Sequence, residues 1–300
     1  MNQEFIKLNT GAEIPLLGFG VFQIREPQEC VTAVKTAIEA GYRHIDTAAV
    51  YQNEEYVGQA IKESGIDRKD LFLTTKVWNG VQREALKDPQ AIERAFEESL
   101  KKLQTDYVDL YLVHWPVPNE APGNPILDKK PYIDTYLALE KLYKSGAAKA
   151  IGVSNFHEHH IEDIKKVWSV APAVNQIEIQ PYFNQKPLIK FGEDLGIIAQ
   201  AWSPLGGNPQ ADGSKKSHVL QDTTINEIAQ NHGKSPAQII IRWNIQNKVI
   251  VLPKSATPSR IKENFNVFDF SLTADEMKTI DALETGKRPS TNPDEFHQNF

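Results

Sequence analysis

The stretch Val108-Asp-Leu-Tyr-Leu-Val-His114 decides how this chain is read. It is short, near-continuously apolar and without the polar–apolar alternation of a half-solvated strand. That pattern belongs to a parallel strand covered on both faces. Its last residue, His114, is polar. Working outward, the same kind of run recurs at Arg43–Asp46, Leu71–Lys76, Ala148–Ser154, Ala173–Glu178, Ile197–Trp202 and Lys248–Pro253, with Leu16–Gly20 as an eighth.

Helix-period segments lie between the runs. In Ala91–Leu103, Ile92, Ala95, Phe96, Ser99, Leu100 and Leu103 repeat every three or four residues. Ile161, Ile164, Val167 and Trp168 do the same, as do Ile225, Ile228, Ala229 and His232. Ser235-Pro236 and Thr257-Pro258 each place a capping side chain before a first-turn proline, and Thr273-Ala-Asp-Glu276 reads as a capping box for a last helix over Thr273–Leu283. Alternating β and α implies right-handed βαβ units. Eight such strands close a single (β/α)8 barrel, and the expectation is an α/β chain with residues 1–300 as one domain and some extra helices. An open doubly wound sheet competes, because counting strands does not show closure. Phe5–Leu8 and Ile14–Leu16 flank the turn residues Asn9-Thr10-Gly11, which predicts an N-terminal β-hairpin capping the barrel.

Composition narrows the function classes. The 300 residues carry 33 basic and 39 acidic side chains, a net charge of −6, without basic blocks, so a nucleic-acid partner is not expected. No stretch approaches about 18 uninterrupted apolar residues, and no membrane span is expected. Cys30 is the only cysteine, which excludes an intramolecular disulfide and a thiolate metal cluster. The start, Met1 to Pro15, lacks a secretory pattern. A cytoplasmic protein is the expectation.

Catalytic groups of such barrels collect at the C-terminal ends of the strands. There the sequence places Asp46, Lys76, His114, Ser154-Asn155, Gln176, Trp202-Ser203 and Lys254-Ser255. Asp46 and Lys76 alone read as a buried ion pair, Tyr51 as packing and His114 as a core histidine. Together they suggest a proton-transfer device. A phenol of pKa about 10 is a poor acid at neutral pH until a cation stabilises its phenolate. Lys76 supplies the cation, Asp46 orients it and His114 donates a hydrogen bond to a substrate oxygen. The set suits protonating a carbonyl oxygen while another group delivers hydride.

These residues sit in longer motifs. Gly41-Tyr-Arg-His-Ile-Asp46-Thr-Ala-Ala-Val-Tyr51-Gln-Asn53-Glu54, Leu73-Thr-Thr-Lys76-Val-Trp78, Asp109-Leu-Tyr-Leu-Val-His114-Trp-Pro and Ile151-Gly-Val-Ser154-Asn155-Phe resemble the aldo-keto reductases. So do Gln176, Ala201-Trp-Ser-Pro-Leu-Gly206 and Leu252-Pro-Lys-Ser-Ala-Thr-Pro-Ser-Arg260-Ile-Lys-Glu-Asn264, in order over residues 5 to 290. The resemblance implies a monomeric (β/α)8 enzyme using NADPH without metal or flavin. In it Tyr51 protonates the developing alkoxide, Lys76 and Asp46 lower its pKa, and His114 orients the carbonyl. It further implies that Ser154, Asn155 and Gln176 hold the carboxamide and that Trp202 stacks on the nicotinamide, where Tyr or Phe is usual. Ser203 and Leu205 fall in the pyrophosphate loop. Lys254, Ser255 and Arg260 match a 2′-phosphate clamp, a reading supported by two cations, a hydroxyl and a helix N-terminus. Glu263 and Asn264 match the adenine side. Val21-Phe22 replaces the frequent Thr-Trp.

Phe22, Trp78 and Trp115, with Tyr51 and His114, are expected to ring the substrate. Pro116–Pro131, Gly206–His218 and the tail from Glu284 are expected to shape the outer pocket, and Lys215 and Lys216 are candidates for phosphate contact. The substrate expected is a small carbonyl compound: a dicarbonyl, a diketo-gluconate or a general aldehyde, as in the bacterial members these motifs most resemble. An NADPH-binding regulatory barrel with little turnover is the alternative. A carboxylate-based hydrolase would need two acids at strand ends, whereas the sequence offers only Asp46 and, inside the sixth strand, Glu178. Gly18-Phe-Gly20 lacks the third glycine of a dinucleotide fingerprint. His157-Glu-His-His160 lacks H-E-x-x-H spacing, so no metal is expected there and it reads as a solvated helix start.

Overall fold

A computed structural model of the chain describes residues 3–116, 129–207 and 218–295. It opens with an antiparallel hairpin, β1 (Phe5–Lys7) and β2 (Glu13–Pro15), paired Phe5 to Pro15 and Lys7 to Glu13 as the turn residues between them demand. The alternating part then runs β3 (Phe19–Gly20), α1 (Pro27–Ala40), β4 (His44–Asp46), α2 (Glu54–Ser64), β5 (Phe72–Val77), α3 (Asn79–Ala85), α4 (Ala91–Leu103) and β6 (Leu110–Val113). It continues α5 (Pro131–Lys144), β7 (Ile151–Ser154), α6 (Glu158–Lys165), β8 (Val174–Glu178), α7 (Lys186–Asp194) and β9 (Ile198–Trp202). α8 (Thr223–His232), α9 (Pro236–Gln246), β10 (Ile250–Val251), α10 (Pro258–Phe265) and α11 (Ala274–Asp281) complete it.

Strands β3 to β10 form one parallel sheet in chain order. The seam settles whether it is open or closed. Leu17 bridges Val251 in parallel, the Val251 amide donates to the Leu16 carbonyl at 2.8 Å, and the Gly18 amide donates to the Val251 carbonyl at 2.9 Å. The sheet is a closed (β/α)8 barrel, and the open doubly wound alternative falls. Gly18 and Gly20 belong to this seam. A Cβ on Gly18 would lie 2.5 Å from His44 Nδ1 and 2.6 Å from Leu252 Cδ2, so its glycine serves close packing rather than a phosphate turn.

The strand and helix readings hold with trimmed ends. β10 keeps only Ile250–Val251 of Lys248–Pro253, because Lys248 turns left-handed at φ 57° to leave α9. The predicted α4 spans Ala91–Leu103 as expected. Ser235 and Thr273 cap α9 and α11 through reciprocal bonds with Gln238 and Glu276. Thr257 departs from expectation: it sits at the N-cap of α10 but makes no side-chain cap bond, while its amide donates to Ser255 Oγ at 3.1 Å. α3, absent from the strand–helix reading, is one of the extra helices.

Helix α2, which follows the Tyr51 turn, lies close against α4 because residue 58 is glycine. A Cβ there would meet the backbone of Lys102 and Leu103 at 2.7 Å. Gly-to-Ala inside a helix ordinarily stabilises by up to about 1 kcal/mol. Here the clash with rigid backbone wins, and Gly58→Ala is expected to destabilise by about 1–3 kcal/mol, read as a fall in thermal midpoint.

Candidate active site

Parallel strands bring all their C-terminal ends to one rim, so residues far apart in sequence meet there. Asp46 ends β4, Lys76 lies one residue before the end of β5, and His114 follows β6 with its amide donating to the Val77 carbonyl at 3.2 Å. Tyr51 ends a single 3-10 turn, Ala49–Tyr51, just past β4.

The Lys76 ammonium is fully buried and spends its three protons on three oxygens. It donates to Asp46 Oδ1 at 2.6 Å, to the Thr47 carbonyl at 2.8 Å and to the Tyr51 hydroxyl at 3.4 Å. The other Asp46 oxygen accepts from Gln176 Nε2 at 2.8 Å. Burial penalises the Lys76 charge, but Asp46 and then Tyr51 outweigh it and raise its pKa, so the ammonium persists at neutral pH. Burial holds Asp46 above the usual carboxylate range against the pull of Lys76. For Tyr51 the expected lowering by Lys76 and Asp46 is not the net result. Burial raises the phenol, Lys76 draws it down, and the Asp46 charge adds to the rise. The phenol is therefore held protonated, beside a cation that would stabilise its phenolate. Burial, followed by the Lys76 charge, pushes His114 well below the ordinary histidine range, leaving a neutral imidazole.

Rings border this cluster. Tyr51 meets His114 edge-on at 5.7 Å, Trp78 meets His114 at 5.3 Å, and Phe22, 44% exposed, leans on Tyr51 at 4.9 Å. Trp115 follows His114 half-buried, its carbonyl held by Gln82 of α3 at 2.8 Å. The structure thus gathers Phe22, Tyr51, Trp78 and His114 into one aromatic border.

The residues expected to hold a carboxamide are knit together. Ser154 Oγ donates to the Gln176 carbonyl at 2.7 Å, and Asn155 Nδ2 donates to the His114 carbonyl at 3.0 Å and to Ser154 Oγ at 3.1 Å. Trp202 Nε1 donates to Asn155 Oδ1 at 2.9 Å, so the indole is fixed by a bond for which Phe has no donor. Asn155 and Ser203 are both left-handed, at φ 62° and 46°, conformations that non-glycine residues adopt mostly where surroundings impose them. Leu205 is half-buried in the following turn, whose Gly206 amide donates to the Ser203 carbonyl at 3.0 Å.

Lys254, half-buried Ser255, Arg260 and Glu263 line the start and outer face of α10, with Asn264 buried beneath. Among the described residues Lys254 and Arg260 form no ion pair with a carboxylate, which leaves two cations at a helix N-terminus available to an anion. The expected loops fall largely on residues 117–128 and 208–217, and Lys215 and Lys216 with them, outside the described residues.

Three residues of this site were not singled out from the sequence. Gln200, fully buried on β9, accepts from Gln176 Nε2 at 2.9 Å and leaves its own Nε2 unpartnered among the described residues. Polar residues at alternate positions of a buried strand, Gln176 and Glu178, then Gln200 and Trp202, were the available signal. Thr47 contributes a backbone carbonyl, for which side-chain type gives no sign. Asn53 fixes the Tyr51 turn: its Nδ2 donates to the Val21 and Ile24 carbonyls at 2.9 and 3.1 Å, and its Oδ1 accepts from Thr47 Oγ1 at 3.0 Å.

The tail from Glu284 crosses the ends of β7 and β8. Thr285 donates to the Tyr182 carbonyl, Ser290 Oγ donates to Glu178 Oε2, and Arg288 stacks over Phe183 at 4.8 Å. Glu178 is thereby tied to the tail. The His157–His160 segment does begin a helix, but it is not solvated as expected. His160 is buried, His157 half-buried, and Asp294 of the tail reaches all three rings.

The profile of the Aldo/keto reductase family matches residues 16–285. The glyoxal reductase of Bacillus subtilis (strain 168) is 45% identical over 294 residues, covering 98% of either chain. The 9,11-endoperoxide prostaglandin H2 reductase of Trypanosoma cruzi is 45% identical over 295 residues, covering 98% of this chain and 96% of its own. A solved aldo/keto reductase from Brucella melitensis superposes with a TM-score of 0.83 at 47% identity, covering 94% of this chain and 100% of that one. No helix among the described residues is long and apolar enough to cross a membrane.

Replacing Asn53 by alanine strands two carbonyls and a hydroxyl in the interior. Asn53→Ala is expected to cost about 2–4 kcal/mol of stability by denaturant unfolding. It should also loosen the turn that presents Tyr51.

Proposed function

The chain belongs to the aldo/keto reductase family and is an NAD(P)-dependent oxidoreductase; from that premise we propose that it reduces small aldehydes and ketones to alcohols with NADPH, Tyr51 delivering the proton. The observation that carries this reading is the buried Lys76 ammonium joined to Asp46, the Thr47 carbonyl and the Tyr51 hydroxyl. Such a network has little use in a barrel that only binds a dinucleotide, and it favours turnover over a regulatory role.

The residues present fit the cofactor. Two cations without ion-pair partners among the described residues, the Ser255 hydroxyl and the N-terminus of α10 suit a phosphate dianion. Trp202 offers a fixed aromatic face, and Ser154, Asn155 and Gln176 offer amide and hydroxyl groups beside it. NADPH, when bound, supplies the hydride.

The chain's own residues then do the rest. Neutral His114 donates a hydrogen bond to the carbonyl oxygen and orients it. The protonated phenol of Tyr51 gives its proton to that oxygen as negative charge develops there. Lys76, 3.4 Å away, stabilises the phenolate left behind, while Asp46 and Thr47 keep the ammonium in place. The Phe22, Trp78 and Tyr51 rings exclude water from the reacting carbon. A small dicarbonyl of the glyoxal kind suits a pocket this closely bordered, in line with the relative named for glyoxal reduction. The lone thiol, Cys30, is buried and pushed up to about 12 by burial and the nearby Glu29, an inert form consistent with a cytoplasmic setting.

Tyr51→Phe is expected to lower kcat/KM for methylglyoxal by about 10²–10⁴-fold, the usual contribution of a positioned general acid. NADPH affinity, followed by quenching of tryptophan fluorescence, should be unchanged. Wild-type turnover in this variant would sink the proton-donor assignment. Lys254→Ala combined with Arg260→Ala should weaken NADPH binding by about 100-fold and NADH binding by less than about 3-fold, since charge-assisted bonds to the extra phosphate are lost. Equal weakening of the two would refute the clamp.

A further inference from the structure

Three imidazoles and a carboxylate meet at a place the carbonyl chemistry does not use. His157, His159 and His160 open α6, and Asp294 arrives in the C-terminal segment. His157 precedes the helix in extended backbone, φ −82° and ψ 172°, so it lies off the helical spiral. Its ring can therefore join those of His159 and His160, which strict helical spacing would fan apart. Asp294 Oδ2 lies 3.0 Å from His157 Nδ1, and Oδ1 lies 3.0 Å from His159 Nε2 and 3.2 Å from His160 Nε2. One donor atom from each of the four residues falls within 4.8 Å of the others.

We propose that His157, His159, His160 and Asp294 bind one divalent transition-metal ion of the Zn2+, Ni2+ and Cu2+ class, pinning the C-terminal segment to the start of α6. Three imidazole nitrogens and one carboxylate oxygen make a four-coordinate set. Imidazole selects these ions over Mg2+ and Ca2+, which take oxygen. The donors must draw in to the about 2.0–2.2 Å that zinc requires. The part-exposed Asp294 carboxylate and the exposed His159 ring have room for that movement.

Proton placement follows from the contacts. His160 Nδ1 accepts the His157 amide at 3.1 Å, and His157 Nε2 faces the Arg288 guanidinium at 3.0 Å, so these two neutral rings turn their protons towards Asp294. The ion needs lone pairs on that side. Each ring keeps its one proton but moves it to the outer nitrogen, and the Arg288 and His157 amide donors lose those acceptors. Arg288 is thus a competitor of the ion rather than a support for it.

The ion would act on the rim of the barrel. His157 lies two residues beyond Asn155, and Ser290, between Arg288 and Asp294, holds Glu178 at the end of β8. Occupancy would fix the tail across the ends of β7 and β8.

The test uses the full chain without an affinity tag, stripped with chelator and titrated calorimetrically with Zn2+, with Mg2+ as control. One saturable equivalent of Zn2+ and none of Mg2+ is expected, and Co2+ should give the visible bands of a tetrahedral site. His159→Ala spares the His157–His160 bond. It should weaken Zn2+ by more than the about 10–100-fold typical of changes outside the coordination shell. Asp294→Ala should do the same, while Arg288→Ala should bind Zn2+ at least as tightly as the parent. Melting of each stripped variant checks that it is folded. No saturable equivalent, parental Zn2+ affinity in folded His159→Ala or Asp294→Ala, or weaker binding in Arg288→Ala would overturn the proposal and leave a purely hydrogen-bonded clasp.

Discussion

A lysine ammonium with no solvent exposure is the constraint around which the upper barrel is arranged. An unpaired buried ion costs several kcal/mol, and removing one partner of a buried pair typically costs about 3–5 kcal/mol. Lys76 is tolerable only because Asp46, Thr47 and Tyr51 supply one oxygen for each of its protons. Asp46 must in turn be satisfied, which recruits Gln176, and Gln176 recruits Gln200. Each of these groups sits on a different strand or just past one. The requirement to satisfy one charge therefore fixes the relative register of β4, β5, β8 and β9 at the end that carries the candidate site.

The same network explains the state of each titrating group. Burial alone would make all four groups neutral. It succeeds with His114 and with Tyr51, whose hydroxyl lies 3.4 Å from the ammonium, and fails with Lys76 and Asp46, whose charges meet at 2.6 Å. A neutral imidazole, a protonated phenol and a retained ammonium within one cluster are the protonation states that the proposed proton transfer needs.

Much of this was legible in the chain. The eight strand positions, the (β/α)8 arrangement and the strand-end residues Asp46, Lys76 and His114 follow from apolar runs that end in polar residues, and the hairpin follows from the turn residues Asn9-Thr10-Gly11. What stayed hidden has physical causes. Closure depends on a single bridge at Leu17, and a two-residue strand carries too little pattern to announce its partner. The direction of the Tyr51 shift depends on burial, which residue type does not give. Asn53 and Gln200 work through contacts with distant backbone and side chains. The His157–His160 segment gained its meaning only when Asp294, from the far end of the chain, was placed against it.

The seam between Leu16–Gly20 and β10 joins the beginning of the barrel to its end through one bridged pair, fewer than any other neighbouring strands of the sheet share. A contact of such long sequence separation forms late, since the chain between must first be ordered. Phe22 lies just past one side of that seam and Lys254 just past the other. A nascent or partly folded chain can therefore assemble the Lys76 cluster yet still lack a complete cleft. Gain of activity during refolding should report the closing of the ring itself, and loss of activity on gentle unfolding should precede loss of most of the sheet.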